Sequence, residues 1–208
     1  MKKERGVNMF ILILSVFFLL SWVINDVVMF AFSGMRMPWL TALINFFLSQ
    51  AALYVIAAIL FLFLAWKTKR WFYPVCFAGA VAIARYGTDV VKLLFNVPRP
   101  AARLPITPLD SIDSSSFPST HASIYFAMAT IFAMAYPKQR YWIYGFAGLL
   151  SLTRIYLGVH YLSDVIAGAV LGYGIAILAL IAGKKLLQNI EKEKFINIKG
   201  RKAKLKKR

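Results

Sequence analysis

Only two histidines occur in the 208 residues, and each stands in a short polar stretch at the edge of an apolar block. His160 is followed four residues later by Asp164. That spacing predicts that both side chains share one helix face, where the carboxylate can accept a hydrogen bond from one imidazole nitrogen. The other nitrogen then keeps its lone pair and becomes the better nucleophile, the orienting logic of a catalytic triad without its serine. A histidine satisfied in a packed interior is the plainer reading, but it fits poorly with both histidines falling beside a group of cations.

Those cations are Lys92, Arg99 and Arg154, with few acids near them in sequence. Such a group calls for an anion. Arginine presents a rigid fork that matches phosphate oxygens, and lysine adds a compact point charge. Pro98 and Pro100 should stop a helix after Lys92 and turn Arg99 back over it in extended chain. Snorkelling to a membrane interface is the alternative for Lys92 and Arg99. The stretch Phe117-Pro-Ser-Thr-His121 reads as a helix start, with Pro118 and Ser119 at its head. The backbone N–H groups of Ser119, Thr120 and His121 would then face outward and suit phosphate oxygens. Ser116 and Ser119 read equally well as ordinary caps. Arg85, Thr88, Asp89 and Lys92 share one helix face by spacing. A buried Arg85–Asp89 pair that stabilises the helix is the simpler expectation, and support of Lys92 by Asp89 is the other.

The elements that must position these residues are apolar. The chain is 60% hydrophobic and 15% aromatic. Six apolar blocks run over about 9–32, 40–66, 71–95, 119–136, 141–157 and 161–181. A span of a ~30 Å hydrocarbon core takes about 20 helical residues, and helices are the open-chain way to satisfy the backbone in lipid. The fold expected is therefore all-α, an integral membrane bundle of six transmembrane helices. The first block reads as an uncleaved span rather than a leader, and Asn45 and Gln50 interrupt the second. Lys and Arg flanking the spans are retained in the cytoplasm. Nineteen of the 25 basic residues fall in the N-terminus, 67–70, 138–140 and the tail, so both termini are expected to be cytoplasmic. Arg36, Lys92, Arg99, Arg103 and Arg154 then break the rule at the opposite face, which points to a function for them. The odd-even order of spans brings the three polar stretches to that outer face, under a proline-rich loop from Asn96 to Pro118.

Residues 1–183 are read as one membrane domain and 184–208 as a basic cytoplasmic tail. The net charge of +17 owes much to that tail, which holds 11 of the basic residues. It is expected to touch anionic headgroups, not nucleic acid. Cys76 has no partner in the chain and cannot form an internal disulfide.

Taken together, Lys92 with six residues before Arg99-Pro100, Pro118-Ser-Thr-His121, and Arg154 with five residues before His160 and three more before Asp164 resemble the three signature motifs of the type 2 phosphatidic acid phosphatase superfamily, which includes the vanadium haloperoxidases. Two positions depart from the pattern: Thr120 stands where glycine is usual, and Thr153 where serine often precedes the arginine. The resemblance implies that His160 attacks phosphorus, that Asp164 orients it, and that His121 protonates the departing oxygen. Lys92, Arg99, Ser119, Thr120 and Arg154 would hold the non-bridging oxygens, with Asp89 and Arg103 behind them. No cofactor and no metal are implied, and the acids are too few and scattered for a two-metal cage.

The function expected is a lipid phosphatase of the plasma membrane acting at the outer face. Its substrate would be a polyprenyl diphosphate such as the undecaprenyl carrier, phosphatidylglycerol phosphate or phosphatidate. A lipid phosphotransferase, and a non-catalytic carrier or resistance protein that binds lipid phosphates, are the alternatives.

Overall fold

A computed structural model of the chain describes residues 2–68, 71–111 and 114–205. These residues form seven α-helices and no strand. In chain order they are α1 (Lys2–Gly34), α2 (Pro38–Leu48), α3 (Gln50–Thr68), α4 (Phe72–Phe95), α5 (Thr120–Ala135), α6 (Arg140–Tyr156) and α7 (Leu162–Leu205). Two single 3-10 turns, Pro100–Ala102 and Pro137–Gln139, lie in the connections.

Three stretches are long and apolar enough to cross a membrane: Ser15–Gly34, Gln50–Thr68 and Leu162–Ile190. Their outward surfaces are apolar too, with Val23, Leu62 and Leu178 exposed. In water such a surface would be unfavourable, and its natural solvent is lipid. The protein is a membrane protein. The second apolar block is two helices, not one. Ser49 breaks it in an extended conformation, and its Oγ accepts a hydrogen bond from the N–H of Ala52 to start α3.

The centre of the bundle is α5, whose apolar residues are buried on nearly every side. It packs against α4, α6 and α7. Its contact with α7 is backbone to backbone: a Cβ on Gly168 would collide with the Ser119 carbonyl, and one on Gly172 with that of Ser123. Small residues four apart permit this approach in lipid, where close packing drives helix association. The approach sets the first turn of α5 beside the first turn of α7, and the Ser119 N–H donates to the Asp164 carbonyl at 3.0 Å. The start of α7 is also held by α1. Buried Asn25 donates through Nδ2 to Ser163 Oγ at 2.9 Å and accepts the Ser163 N–H through Oδ1 at 3.1 Å. From Leu162 the last helix continues unbroken past Lys184 into the basic segment.

Candidate active site

Asn96 ends α4 in the left-handed conformation, φ 42°, with its N–H returned to the Lys92 carbonyl. The chain then turns back over the helix end, as the prolines around Arg99 predict. The loop is ordered by its own bonds. Ser116 N–H donates to Val97 O at 2.8 Å, and Leu109 N–H to Leu157 O at 2.8 Å. Arg99 donates through Nε to Ser114 O at 2.7 Å and through Nη1 to Val159 O at 3.1 Å. It thereby ties this loop to the turn that carries His160.

Beneath the loop is a cavity of about 290 Å³. Lys92, Arg99, Arg154, Thr120, His121 and His160 all line it. Three segments far apart in sequence therefore meet in one place. Lys92 Nζ donates to Ser114 Oγ at 3.1 Å and Ser115 O at 2.8 Å, and Arg154 Nη2 pairs with Asp110 at 2.6 Å. Burial raises the Asp110 carboxyl, but the bond and charge of Arg154 outweigh it and the net shift is downward. Two polar atoms of lining residues, Arg154 Nε and His121 Nε2, are buried with no hydrogen-bond partner among the described residues. Buried polar atoms are rarely left so, and a bound oxyanion would satisfy both.

His160 is buried in the turn between α6 and α7, one residue short of the helix that Leu162 begins after Tyr161. The sequence reading placed His160 and Asp164 on one helix face. Instead Gly158, at φ +75°, turns the chain before the helix begins. Asp164 Oδ2 reaches back to accept the Tyr161 N–H at 2.8 Å and stands 3.6 Å from His160 Nδ1, beyond hydrogen-bond length. Ser116 spans the gap: its Oγ donates to Asp164 Oδ2 at 2.5 Å and lies 3.5 Å from His160 Nδ1. Ser116 is thus no helix cap, contrary to one sequence expectation. Burial pushes the His160 imidazole down to about 4 against the pull of Asp164, and Arg99 and Arg154 add to the fall. Its neutral, lone-pair form prevails at ordinary pH.

Other expected site residues fall differently. Ser119 is buried behind the cavity as the N-cap of α5, its Oγ accepting the Ala122 N–H. Its own N–H is taken by Asp164, so of the three amides expected to face phosphate only those of Thr120 and His121 remain in the first turn. The Thr120 side chain is accommodated by Thr88, which donates to its hydroxyl at 3.2 Å. Asp164 does not line the cavity and stands behind His160. Asp89 lines the wall, paired with Arg85, but the pair is half-exposed rather than buried. Arg103 is exposed and does not line the cavity.

Sequence reasoning missed Asp110, Ser114 and Ser116. The only signal was their position: an acid and a run of serines in the loop closing over three cations. It also missed Arg36, whose guanidinium donates to Tyr156 O at 2.9 Å and Thr107 O at 2.8 Å and so joins the α1–α2 turn to the turn that carries His160. Among the described residues no group of three His, Cys, Asp or Glu side chains assembles.

A family model described as the PAP2 superfamily matches residues 73–187. The chain belongs to this superfamily. The matched segment of this PAP2 chain holds every residue that lines the cavity except those contributed by α3. Among relatives, a lipid A 1-phosphatase of Rhizobium johnstonii is 29% identical over 126 residues, 58% of this chain and 49% of its own length. An undecaprenyl-diphosphatase of Sulfolobus acidocaldarius is 36% identical over 110 residues, 51% of each chain. The PAP2 chain thus spans about half the length of these relatives. The crystal structure of a transmembrane PAP2-type phosphatidylglycerolphosphate phosphatase from Bacillus subtilis has the same fold. It superposes with a TM-score of 0.62 at 24% identity, covering 84% of this chain and 96% of its own.

Proposed function

We propose that the protein is a lipid phosphatase working through a phosphohistidine on His160. The observation that carries this reading is the cavity itself, which gathers two histidines and three cations and leaves Arg154 Nε and His121 Nε2 unsatisfied. Phosphate relatives of three lipid classes, lipid A, undecaprenyl diphosphate and phosphatidylglycerol phosphate, support the substrate class.

In the proposed reaction the phosphate oxygens lie among Lys92, Arg99, Arg154 and the first turn of α5 at Thr120, so that the fixed charges meet the transition state. Ser119 shapes that turn as its cap. The nitrogen of His160 away from Ser116 attacks phosphorus in line. A P–N bond forms as the P–O bond to the lipid breaks, and protonated His121 gives its proton to the departing oxygen. His121 then takes a proton from water. The hydroxide attacks phosphorus, the P–N bond breaks, and inorganic phosphate leaves with His160 restored. Asp164, through Ser116, steadies the positive charge that His160 acquires.

On this reading the chain makes six spans, with both termini and the basic 184–208 segment in the cytoplasm. Residues 1–183 form the catalytic domain, and the cavity opens at the outer face of the cell membrane. The basic segment lies on anionic headgroups. The protein's own cations neutralise the phosphate, so turnover continues in the presence of a chelator. Purified protein in detergent should release phosphate from lipid phosphates. His160→Ala should lower that release by about 10³-fold or more while still binding orthovanadate. Undiminished turnover by this variant refutes the nucleophile assignment, and transfer of phosphate to a second lipid instead of water would make the protein a phosphotransferase.

A further inference from the structure

The histidine cavity extends beyond the phosphate cluster. Its wall on the α3 and α4 side is made by Gln50, Tyr54, Arg85 and Asp89. Gln50 Nε2 and Arg85 Nε both donate to Tyr54 Oη at 3.1 Å, and Arg85 Nη1 is paired with Asp89. Tyr54 and Arg85 also line a second, largely apolar cavity of about 470 Å³ between α3 and α4. The two cavities meet at these side chains. From Arg85 the second runs along α4 to Phe77, about 12 Å at the helical rise of ~1.5 Å per residue. Ala58, Ala78 and Ala82, all exposed, make it a trough. Another apolar cavity, around Met128 and Phe146, shares no lining residue with the histidine cavity and offers no continuous path from it.

Charge narrows the ligand. Lys92, Arg99, Arg154 and Arg85 line the histidine cavity against two carboxylates, Asp89 and Asp110, with a third, Asp164, behind His160. That excess suits one phosphate group, about −1.5 to −2 at neutral pH, and not two. An inner phosphate on the lipid side of the scissile one would stand beside Asp89.

Resting on the phosphatase reading above, we propose that the preferred substrate is a lipid phosphate monoester whose chain leaves the histidine cavity between Tyr54 and Arg85 and lies in the α3–α4 trough. Tyr54, Arg85 and Asp89 hydrogen-bond the uncharged oxygens that link chain to phosphate. They form a polar collar between the charged pocket and the apolar trough.

The test compares dipalmitoyl phosphatidate with water-soluble dibutyryl phosphatidate in wild type, Ala82→Trp and Ala58→Trp, and farnesyl phosphate with farnesyl diphosphate in wild type and Asp89→Asn. The trough-filling variants should lose about tenfold in kcat/KM on the long-chain lipid and stay within about twofold on the short one. Two variants on opposite walls guard against one that merely misfolds, which would lose both activities together. Wild type should favour farnesyl phosphate, and Asp89→Asn should narrow that preference. Full long-chain turnover in both tryptophan variants, or a wild-type preference for the diphosphate, overturns the proposal and leaves the phosphatase reading intact. Wild-type protein that cleaves none of the four substrates removes both.

Discussion

His160 owes its properties to what surrounds each of its nitrogens. Nδ1 faces Ser116 and Asp164, and the ring is buried beside two arginines. A free imidazole charges near pH 6.5; here burial lowers the value to about 4. The folded state therefore favours the neutral ring. This costs no stability above about pH 6.5 and progressively more as pH falls from there toward 4. With only two histidines in the chain, ¹⁵N NMR of histidine-labelled protein can follow both, with His160→Ala as the assignment control. The His160 ring should remain neutral at pH 5.5, and charging above pH 6 would contradict the burial argument. Asp110 offers a second residue-level prediction. It occupies Arg154 with a direct ion pair that an incoming phosphate must share or displace. Asp110→Asn should tighten inhibition by orthovanadate, roughly three- to tenfold, the range of a partly exposed charge pair. Unchanged or weaker inhibition would show that Asp110 helps to hold the arginine in place.

Helices α1 and α2 lie outside the segment that matches the family, yet they grip the elements that carry the site. Asn25 fixes the start of α7, and Arg36 binds carbonyls on both sides of the cavity loop system, at Tyr156 and Thr107. Tyr156 Oη in turn accepts the Met37 N–H at 2.8 Å. Gly158 is what lets Arg36 in. A Cβ there would collide with the Arg36 guanidinium, and at φ +75° any non-glycine residue carries about 1–2 kcal/mol of strain. Gly158→Ala should lower the melting temperature and reduce kcat more than it weakens vanadate binding. Adding Arg36→Ala to it should cost less than Arg36→Ala costs alone, because both act on one contact. Strict additivity of the two would separate Arg36 from the His160 turn.

Across the molecule, the cationic pocket was legible in sequence because cost marks it: Lys92, Arg99 and Arg154 stand where basic residues are normally avoided, and the order of apolar blocks brings them together. The details that failed depend on contacts no spacing encodes. Ser116 works through groups 44 and 48 residues away. The His160–Asp164 spacing suggested a shared helix face, but Gly158 delays the helix and the carboxylate folds back on the Tyr161 amide. Ser49 divides a block whose hydropathy gave no sign of the break, and the grip of Asn25 and Arg36 joins residues more than a hundred positions apart. What unites the pocket, the helices and the lipid-facing surface is one claim, that the imidazole of His160 carries the phosphoryl group during turnover. The most direct measurement is to quench the protein in alkali while it turns over ³²P-labelled lipid phosphate and to locate the label by peptide mapping. Label on the peptide containing His160, absent from His160→Ala, is the predicted result; turnover without any protein-bound label, or label that persists in the variant, would contradict it.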